Sequence, residues 1–170
     1  TMTVKSFLKR RLIRLHPMVI MGALIGAILF YTQGCSVWDV SKVPLSMLLI
    51  STVLNLFLIP STPGFEIRGV GEMYPLNGPS WTLFFEYIGN ILYVFFIRKL
   101  PTIALSLLVV LTGLGLASFA IWGPLGDLCV GYALTEENII GGSLRLLFSF
   151  SAGLLLSRVF KPFKVRGAFW

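Results

Sequence analysis

The residue with the clearest chemical potential is Glu86, a carboxylate inside a long apolar run. The run begins at Trp81, directly after a polar stretch that ends in Pro79 and Ser80. An ionised carboxylate in hydrocarbon costs at least about 2.5–3.5 kcal/mol, so its neighbours must solvate it or it must be protonated. Such a residue is a candidate for function by default, and the alternative is a hydrogen bond that only packs two helices.

Two arginines near the start of the chain form a second candidate. Arg11 and Arg14 are three residues apart and therefore share one face of a helix. Two guanidinium groups on one face can grip a phosphate through paired hydrogen bonds. By spacing alone, however, a cytoplasmic anchor at the membrane boundary is the better explanation. The only histidine, His16, follows this pair, and we expect it to be an interfacial side chain rather than a general base.

Arg145 opens a later apolar run, and its charge has two explanations. Its side chain either snorkels to the membrane interface or pairs with Glu86 across a helical bundle. The sequence leaves both explanations open.

Composition indicates an all-α protein, an integral membrane bundle of about four to five helical segments. Of the 170 residues, 56% are hydrophobic and 12% are charged, and mean hydropathy is +0.87. Soluble domains are about 25% charged. The apolar runs are continuous and approach the roughly 20 residues that span a bilayer, whereas barrel strands would alternate. We therefore expect residues 1–170 to form a single membrane domain.

The net charge of +7 predicts contact with membrane lipids rather than nucleic acid. The basic residues cluster beside apolar runs, which is typical of anchoring to anionic lipid headgroups. The two cysteines have no Cys-x-x-Cys spacing, so no metal site is expected.

Five apolar segments follow one another along the chain. We call them segments A to E: Met18–Tyr31, Val43–Ile59, Trp81–Ile97, Ile103–Trp122 and Ser143–Phe160. Segment A contains a Gly-x-x-x-Gly pair, Gly22 and Gly26. Either this pair lets another helix approach segment A closely, or it arises by chance. The long Ser61–Ser80 connection is rich in Pro and Gly, and loops of this length are often functional.

Basic residues predict the topology, and they leave two alternatives: segment B is re-entrant or only partly inserted, or Arg98 and Lys99 break the charge rule. A basic collar precedes segment A and comprises Lys5, Lys9, Arg10, Arg11 and Arg14. Arg98 and Lys99 follow segment C, and a basic tail follows segment E. All three basic groups should therefore be cytoplasmic. The tail comprises Arg158, Lys161, Lys164 and Arg166. Three full crossings by A, B and C would put Arg98 outside, so we predict a re-entrant B. Glu86 then lies just below the outer surface, on the face opposite to Arg11 and Arg14.

Three motifs resemble those of the acyltransferase 3 family of membrane acyltransferases. Residues 10–17, Arg-Arg-Leu-Ile-Arg-Leu-His-Pro, resemble that family's Arg-Arg-x-x-Arg-(Ile/Leu)-x-Pro signature. Residues 81–86, Trp-Thr-Leu-Phe-Phe-Glu, are similar to its Trp-(Ser/Thr)-Leu-x-x-Glu motif. Arg145 to Phe148, with Gly153, resembles its Arg-x-x-x-Phe-x-x-Gly segment, although the phenylalanine here follows after two residues rather than three.

The resemblance implies a fold, a reaction and roles for residues. The family has about ten spans, so this chain would be the middle of a larger domain and inactive alone. An acyl group, usually acetyl, would pass from acyl-CoA to a hydroxyl of a carbohydrate or other cell-envelope acceptor in the bacterial inner membrane. Arg11 and Arg14 would hold CoA phosphates, and a histidine outside this chain would be the general base. Glu86 would orient that base or the acceptor, with Trp81, Ser80 and Arg145 binding substrate. A transporter or flippase and a non-catalytic scaffold are the competing functions.

Overall fold

The protein is an all-α bundle, as the composition predicts. The computed structural model describes residues 3–35, 42–61, 64–123 and 126–160. Its five α-helices are α1 Val4–Gln33, α2 Leu45–Leu56, α3 Ser80–Phe95, α4 Thr102–Trp122 and α5 Glu136–Val159. A short 3-10 turn, Ile97–Lys99, follows α3. In the described part of the chain, the only β-type pairing is an isolated antiparallel bridge between Glu72 and Ala133.

Four of the helices are long and apolar enough to cross a membrane. These are α1, α3 extended to Lys99, α4 and α5. The fifth helix, α2, has 12 residues and is therefore only about 18 Å long, against a hydrocarbon core of about 30 Å. The helix lengths therefore set α2 apart from the spanning elements.

Many large apolar side chains face outward, while several small and polar side chains are buried inside the bundle. In α4, for example, only Leu105 and Thr112 are buried, whereas Leu111 and Trp122 are largely exposed. A Cβ atom at Gly113 would lie 3.0 Å from Phe148 of α5, so the glycine lets these helices approach closely. Membrane helices typically associate through such small residues, because lipid already solvates their apolar side chains.

Contacts between helices fix their relative directions. The rings of Phe7 and Tyr93 are 5.5 Å apart, and Gly22 lies against Asn77, so α1 and α3 are antiparallel. Tyr93 also contacts Phe150, with ring centroids 5.9 Å apart, and α5 runs parallel to α3. The collar of α1 therefore lies at the same end of the bundle as the C-terminal end of α3, in agreement with the topology predicted from charge.

Segment B runs beside α1 from the level of its C-terminal end toward its middle, and the chain then returns to the level of that C-terminal end. Near the start of α2, Leu48 packs with Phe30 at the C-terminal end of α1. Just beyond α2, Leu58 packs with Val19 near the middle of α1. The following loop brings Ile67 back to Phe30. This path is the one expected of a re-entrant segment B, whose position in the membrane stays a prediction.

The returning loop is held by its own polar contacts. The Glu66 carboxylate accepts hydrogen bonds from the backbone N–H groups of Arg68, Gly69 and Gly71 at 2.8–3.0 Å. Arg68 forms an ion pair with Glu72 at 3.3 Å. Irregular backbone beside membrane helices requires such internal partners, because lipid supplies none.

The start of α5 differs from the prediction. Segment E was expected to begin at Ser143, but α5 begins at Glu136. The Thr135 hydroxyl accepts a hydrogen bond from the Asn138 backbone N–H, and Glu136 and Glu137 occupy the first turn. A threonine cap followed by acidic residues favours a helix start there. Of the basic tail, Lys161, Lys164 and Arg166 lie outside the described residues.

Candidate functional site

The carboxylate of Glu86 faces the guanidinium of Arg11. Their Oε1 and Nη1 atoms are 3.8 Å apart, and the side chains are 39% and 35% exposed, respectively. At this distance the two charged groups form an ion pair, but the separation is too long for a hydrogen bond between these atoms. The expectation that Arg11 and Glu86 lie on opposite faces of the membrane is therefore wrong. The reason is that α1 is already helical at Val4. The basic collar is therefore part of a helix that packs along α3, and it is not confined to the membrane interface.

The ion pair lies in the middle part of α3 rather than at its end. Glu86 is six residues after Ser80 and twelve before Arg98, or about 9 Å and 18 Å along a helix axis. The loop before α3 reaches the level of Gly22, in the second half of α1, and the depth of Glu86 below the outer surface stays a prediction. Charges at such depth are typically paired.

Arg145 does not pair with Glu86. Its Nη1 donates hydrogen bonds to the carbonyl oxygens of Leu128 and Val130, both at 3.0 Å. Its guanidinium carbon lies 5.0 Å from the centroid of the Trp81 ring. Two carbonyl dipoles and an aromatic face thus stabilise the cation, and the loop before α5 is tied to α3.

Trp81, Glu86 and Arg145 nevertheless line one cavity, which we call the α3–α5 cavity. Its volume is about 400 Å³, and Ser149 adds a hydroxyl to its wall. The remaining wall is mainly apolar, with Phe85 among its residues. A cavity with a few convergent polar groups on an apolar wall is the usual form of a small-molecule site.

The other three predicted site residues, Ser80, Arg11 and Arg14, do not line that cavity. Ser80 is fully buried at the start of α3, and its hydroxyl has no hydrogen-bond partner among the described residues. Its backbone N–H donates to the Asn77 carbonyl at 2.9 Å. Arg14 is exposed, and within the described residues it forms no ion pair. Arg11 contacts the Phe7 ring as well as Glu86, at 5.5 Å from its centroid.

The loop that precedes α3 contains two side chains whose ionisation is shifted. Burial raises the pKa of Glu72, and the Arg68 cation opposes part of this effect. Burial also raises the pKa of the Tyr74 hydroxyl, which donates to the Leu58 carbonyl at 2.7 Å. Tyr74 thus fastens the loop to the end of α2, and Glu72 is held within the loop by Arg68.

Sequence reasoning missed the environments of His16 and Tyr87. Both line a second cavity, of about 270 Å³, which we call the α1–α3 cavity. We expected His16 to be interfacial, but its Nδ1 atom is buried. The sequence did contain a signal for a different environment. His16 lies five residues after Arg11, so the two side chains face different sides of α1. Within the described residues, no group of three or more His, Cys, Asp or Glu side chains could hold a metal ion.

Comparison of the chain with protein-family models, with curated proteins and with solved structures gives no match. The functional argument therefore rests on the residues of the two cavities and on the helices that position them.

Proposed function

We propose that the chain is the middle part of an integral membrane acyltransferase. It would move an acyl group, usually acetyl, from acyl-CoA to a hydroxyl of a carbohydrate or another acceptor in the envelope of a bacterial cell. The observation that carries this proposal is the Arg11–Glu86 ion pair in the middle of the bundle, beside a cavity that also contains Trp81 and Arg145.

The donor would be bound by arginines of α1. Arg14 is exposed, and the 3.8 Å separation leaves Arg11 donors available beside Glu86. Guanidinium groups bind phosphate through two parallel hydrogen bonds, which suits the phosphates of CoA. Bound phosphate would also compete with Glu86 for Arg11 and thereby release the carboxylate.

The acceptor would occupy the α3–α5 cavity. Trp81 offers an aromatic face to a sugar ring, and Arg145 and Glu86 offer hydrogen bonds to hydroxyl groups. The acceptor oxygen attacks the thioester carbonyl carbon, the carbon–sulfur bond breaks, and CoA leaves as its thiol. The proton lost by the hydroxyl passes to a base, and Glu86 orients that base or the hydroxyl itself.

Transport is the alternative, and the same ion pair favours it. Paired charges inside a membrane bundle also mark the substrate pathways of transporters. The two functions differ in what they do with CoA, since a transporter needs no acyl donor.

Binding of acetyl-CoA to the purified chain tests the donor site. We expect Arg14→Ala and Arg11→Ala each to weaken affinity about tenfold or more, because each removes charged hydrogen bonds to phosphate. Arg10→Ala is the control, because it removes an exposed positive charge next to Arg11 without removing either of the two proposed phosphate ligands. Unchanged affinity in Arg14→Ala would overturn the donor site.

Acyl transfer by the complete protein tests the role of Glu86. At matched expression, we expect Glu86→Gln to lower turnover by about a hundredfold or more, while acetyl-CoA affinity is kept or increases because Glu86 no longer competes for Arg11. Full turnover in this variant would remove Glu86 from the reaction. Substrate accumulation in sealed vesicles without any acylated product would favour transport instead.

A further inference from the structure

The loop before α5 passes beside the indole of Trp81, one of the side chains that line the α3–α5 cavity. Gly131 of this loop is buried and has a φ of +108°, in the region that favours glycine. A Cβ atom added to Gly131 would lie only 2.7 Å from the Trp81 ring. The Gly131 backbone therefore packs directly against the indole, and a movement of this backbone changes the room in which Trp81 can move.

A buried asparagine in the first turn of α5 holds the Gly131 backbone. The Asn138 Oδ1 atom accepts a hydrogen bond from the Gly131 N–H at 2.9 Å. The Asn138 Nδ2 atom donates to the Thr135 hydroxyl at 2.8 Å, which orients the amide group. Asn138 is only 6% exposed, and a buried N–H group that loses its acceptor loses its solvation without replacement. The contact between Asn138 and Gly131 is therefore costly to break.

One face of α5 carries the groups that fix this part of the loop. Asn138, Gly142 and Arg145 are three or four residues apart, so they lie on the same face of the helix. Arg145 donates to two carbonyl oxygens of the loop, and one of them belongs to Val130, directly before Gly131. A Cβ atom at Gly142 would lie 3.0 Å from the Gly131 Cα atom, so the loop packs closely against α5. The loop is thus anchored through both its N–H and its C=O groups.

We propose that Asn138 is a positioning residue for Trp81: through the Gly131 backbone, it holds the indole at the wall of the α3–α5 cavity. Asn138 does not line the cavity, so it acts on the cavity through Gly131. Arg145 contacts the same indole, with its guanidinium carbon 5.0 Å from the ring centroid. The consequence for acceptor binding rests on the proposed acyl transfer, whereas the restraint on Trp81 does not.

The mobility of Trp81 tests the restraint without any reaction. Time-resolved fluorescence anisotropy of the full chain in detergent reports on Trp81 alone once the other three tryptophans are phenylalanine. These are Trp38, Trp122 and Trp170. We expect Asn138→Leu to lower the residual anisotropy of the indole about twofold, because the Gly131 N–H loses its acceptor and the backbone beside the ring is released. Asn138→Asp should keep the wild-type anisotropy, since its carboxylate still accepts from Gly131.

A second variant separates this restraint from a general effect on the start of α5. Glu136 is exposed in the first turn, and Glu136→Lys weakens that turn by placing a positive charge at the helix N-terminus. It should lower thermal stability and leave the anisotropy of Trp81 unchanged. Equal loss of anisotropy in Glu136→Lys and Asn138→Leu, or unchanged anisotropy in Asn138→Leu, would overturn the proposal. Asn138→Ala removes the same acceptor and replaces Asn138→Leu if that variant does not fold.

Titration with methyl glucoside, followed by Trp81 fluorescence, tests the consequence for acceptor binding. We expect Asn138→Leu to weaken binding of this sugar about fivefold, because a mobile indole must be ordered again when the sugar binds. Asn138→Asp should restore the affinity. Equal affinity in wild type and Asn138→Leu would separate Asn138 from the acceptor. Lack of binding by the wild-type chain would instead contradict the acceptor site of the proposed function, and the anisotropy would still decide whether Asn138 restrains Trp81.

Discussion

At the scale of single residues, the pairing of Glu86 with Arg11 explains how a carboxylate is tolerated inside an apolar helix. Neither charge is isolated, and each is only partly exposed. The sequence identified both as candidates but assigned them to different faces, because charge rules treat a basic collar as an interfacial anchor. The position of Arg11 depended on α1 continuing as a helix through the collar.

The coupling between these two charges can be measured with a double-mutant cycle. We expect Arg11→Gln and Glu86→Gln to be coupled by about 1 kcal/mol in the free energy of unfolding, since partial exposure and a 3.8 Å separation weaken the pair. The cycle of Arg14→Gln with Glu86→Gln is the control, and its coupling should be close to zero. Equal coupling in the two cycles would mean that only net charge matters.

Arg145 illustrates the same limit of sequence reasoning. Its partners are backbone carbonyls at Leu128 and Val130 and the ring of Trp81, rather than the opposite charge of Glu86. Backbone carbonyls carry no sequence signal, so only the path of the loop before α5 could reveal them. That loop nevertheless holds Arg145 in place against Trp81, and both of these side chains line the α3–α5 cavity.

At the scale of elements, the paired glycines of α1 accommodate a loop rather than a helix. A Cβ atom at Gly26 would collide with the Leu76 backbone carbonyl, and one at Gly22 would collide with the Asn77 side chain. The spacing predicted a close approach but could not say what approaches. The returning loop uses this room to reach the level at which α3 begins.

Alanine substitutions distinguish this close approach from ordinary glycine flexibility. We expect Gly26→Ala to destabilise the protein by about 1–3 kcal/mol, because the helix or the loop backbone must move. Gly153→Ala in α5 is the matched control, since nothing lies within 4 Å of its added Cβ atom and alanine favours helix. Chemical unfolding in detergent measures both. Equal stability changes for the two variants would contradict the close contact.

At the scale of the whole molecule, two loops meet at the end opposite to the collar. The backbone N–H of Met73, in the loop before α3, donates to the Tyr132 carbonyl at 2.7 Å. This contact joins the α1–α3 half to the α4–α5 hairpin. The return of the chain beside α1 makes this contact possible, because it brings the loop before α3 to the same end of the bundle as the loop before α5.

Cysteine labelling tests this arrangement directly. With Cys35 and Cys129 replaced by serine, we expect Val70→Cys to react with an impermeant thiol reagent only from the outer side. Val70 is exposed in the returning loop, and Lys99→Cys should react only from the cytoplasmic side. Restoring Cys129 alone gives an independent outer marker. Reaction of Val70→Cys only from the cytoplasmic side and of Lys99→Cys only from the outer side would show that α2 crosses the membrane.

The sequence by itself determined the class of protein, the approximate helices and the candidate charges. Hydropathy and charge act locally along the chain, so they identify apolar helices, their basic ends and a short segment B without knowledge of the packing. Only the tertiary structure decided which charges meet, what the glycines of α1 contact and which cavity each face of α3 lines. Those outcomes depend on the axial level at which α1, the returning loop and α3 pack together. Helix packing sets that level through contacts between residues that are distant in sequence, such as Arg11 and Glu86.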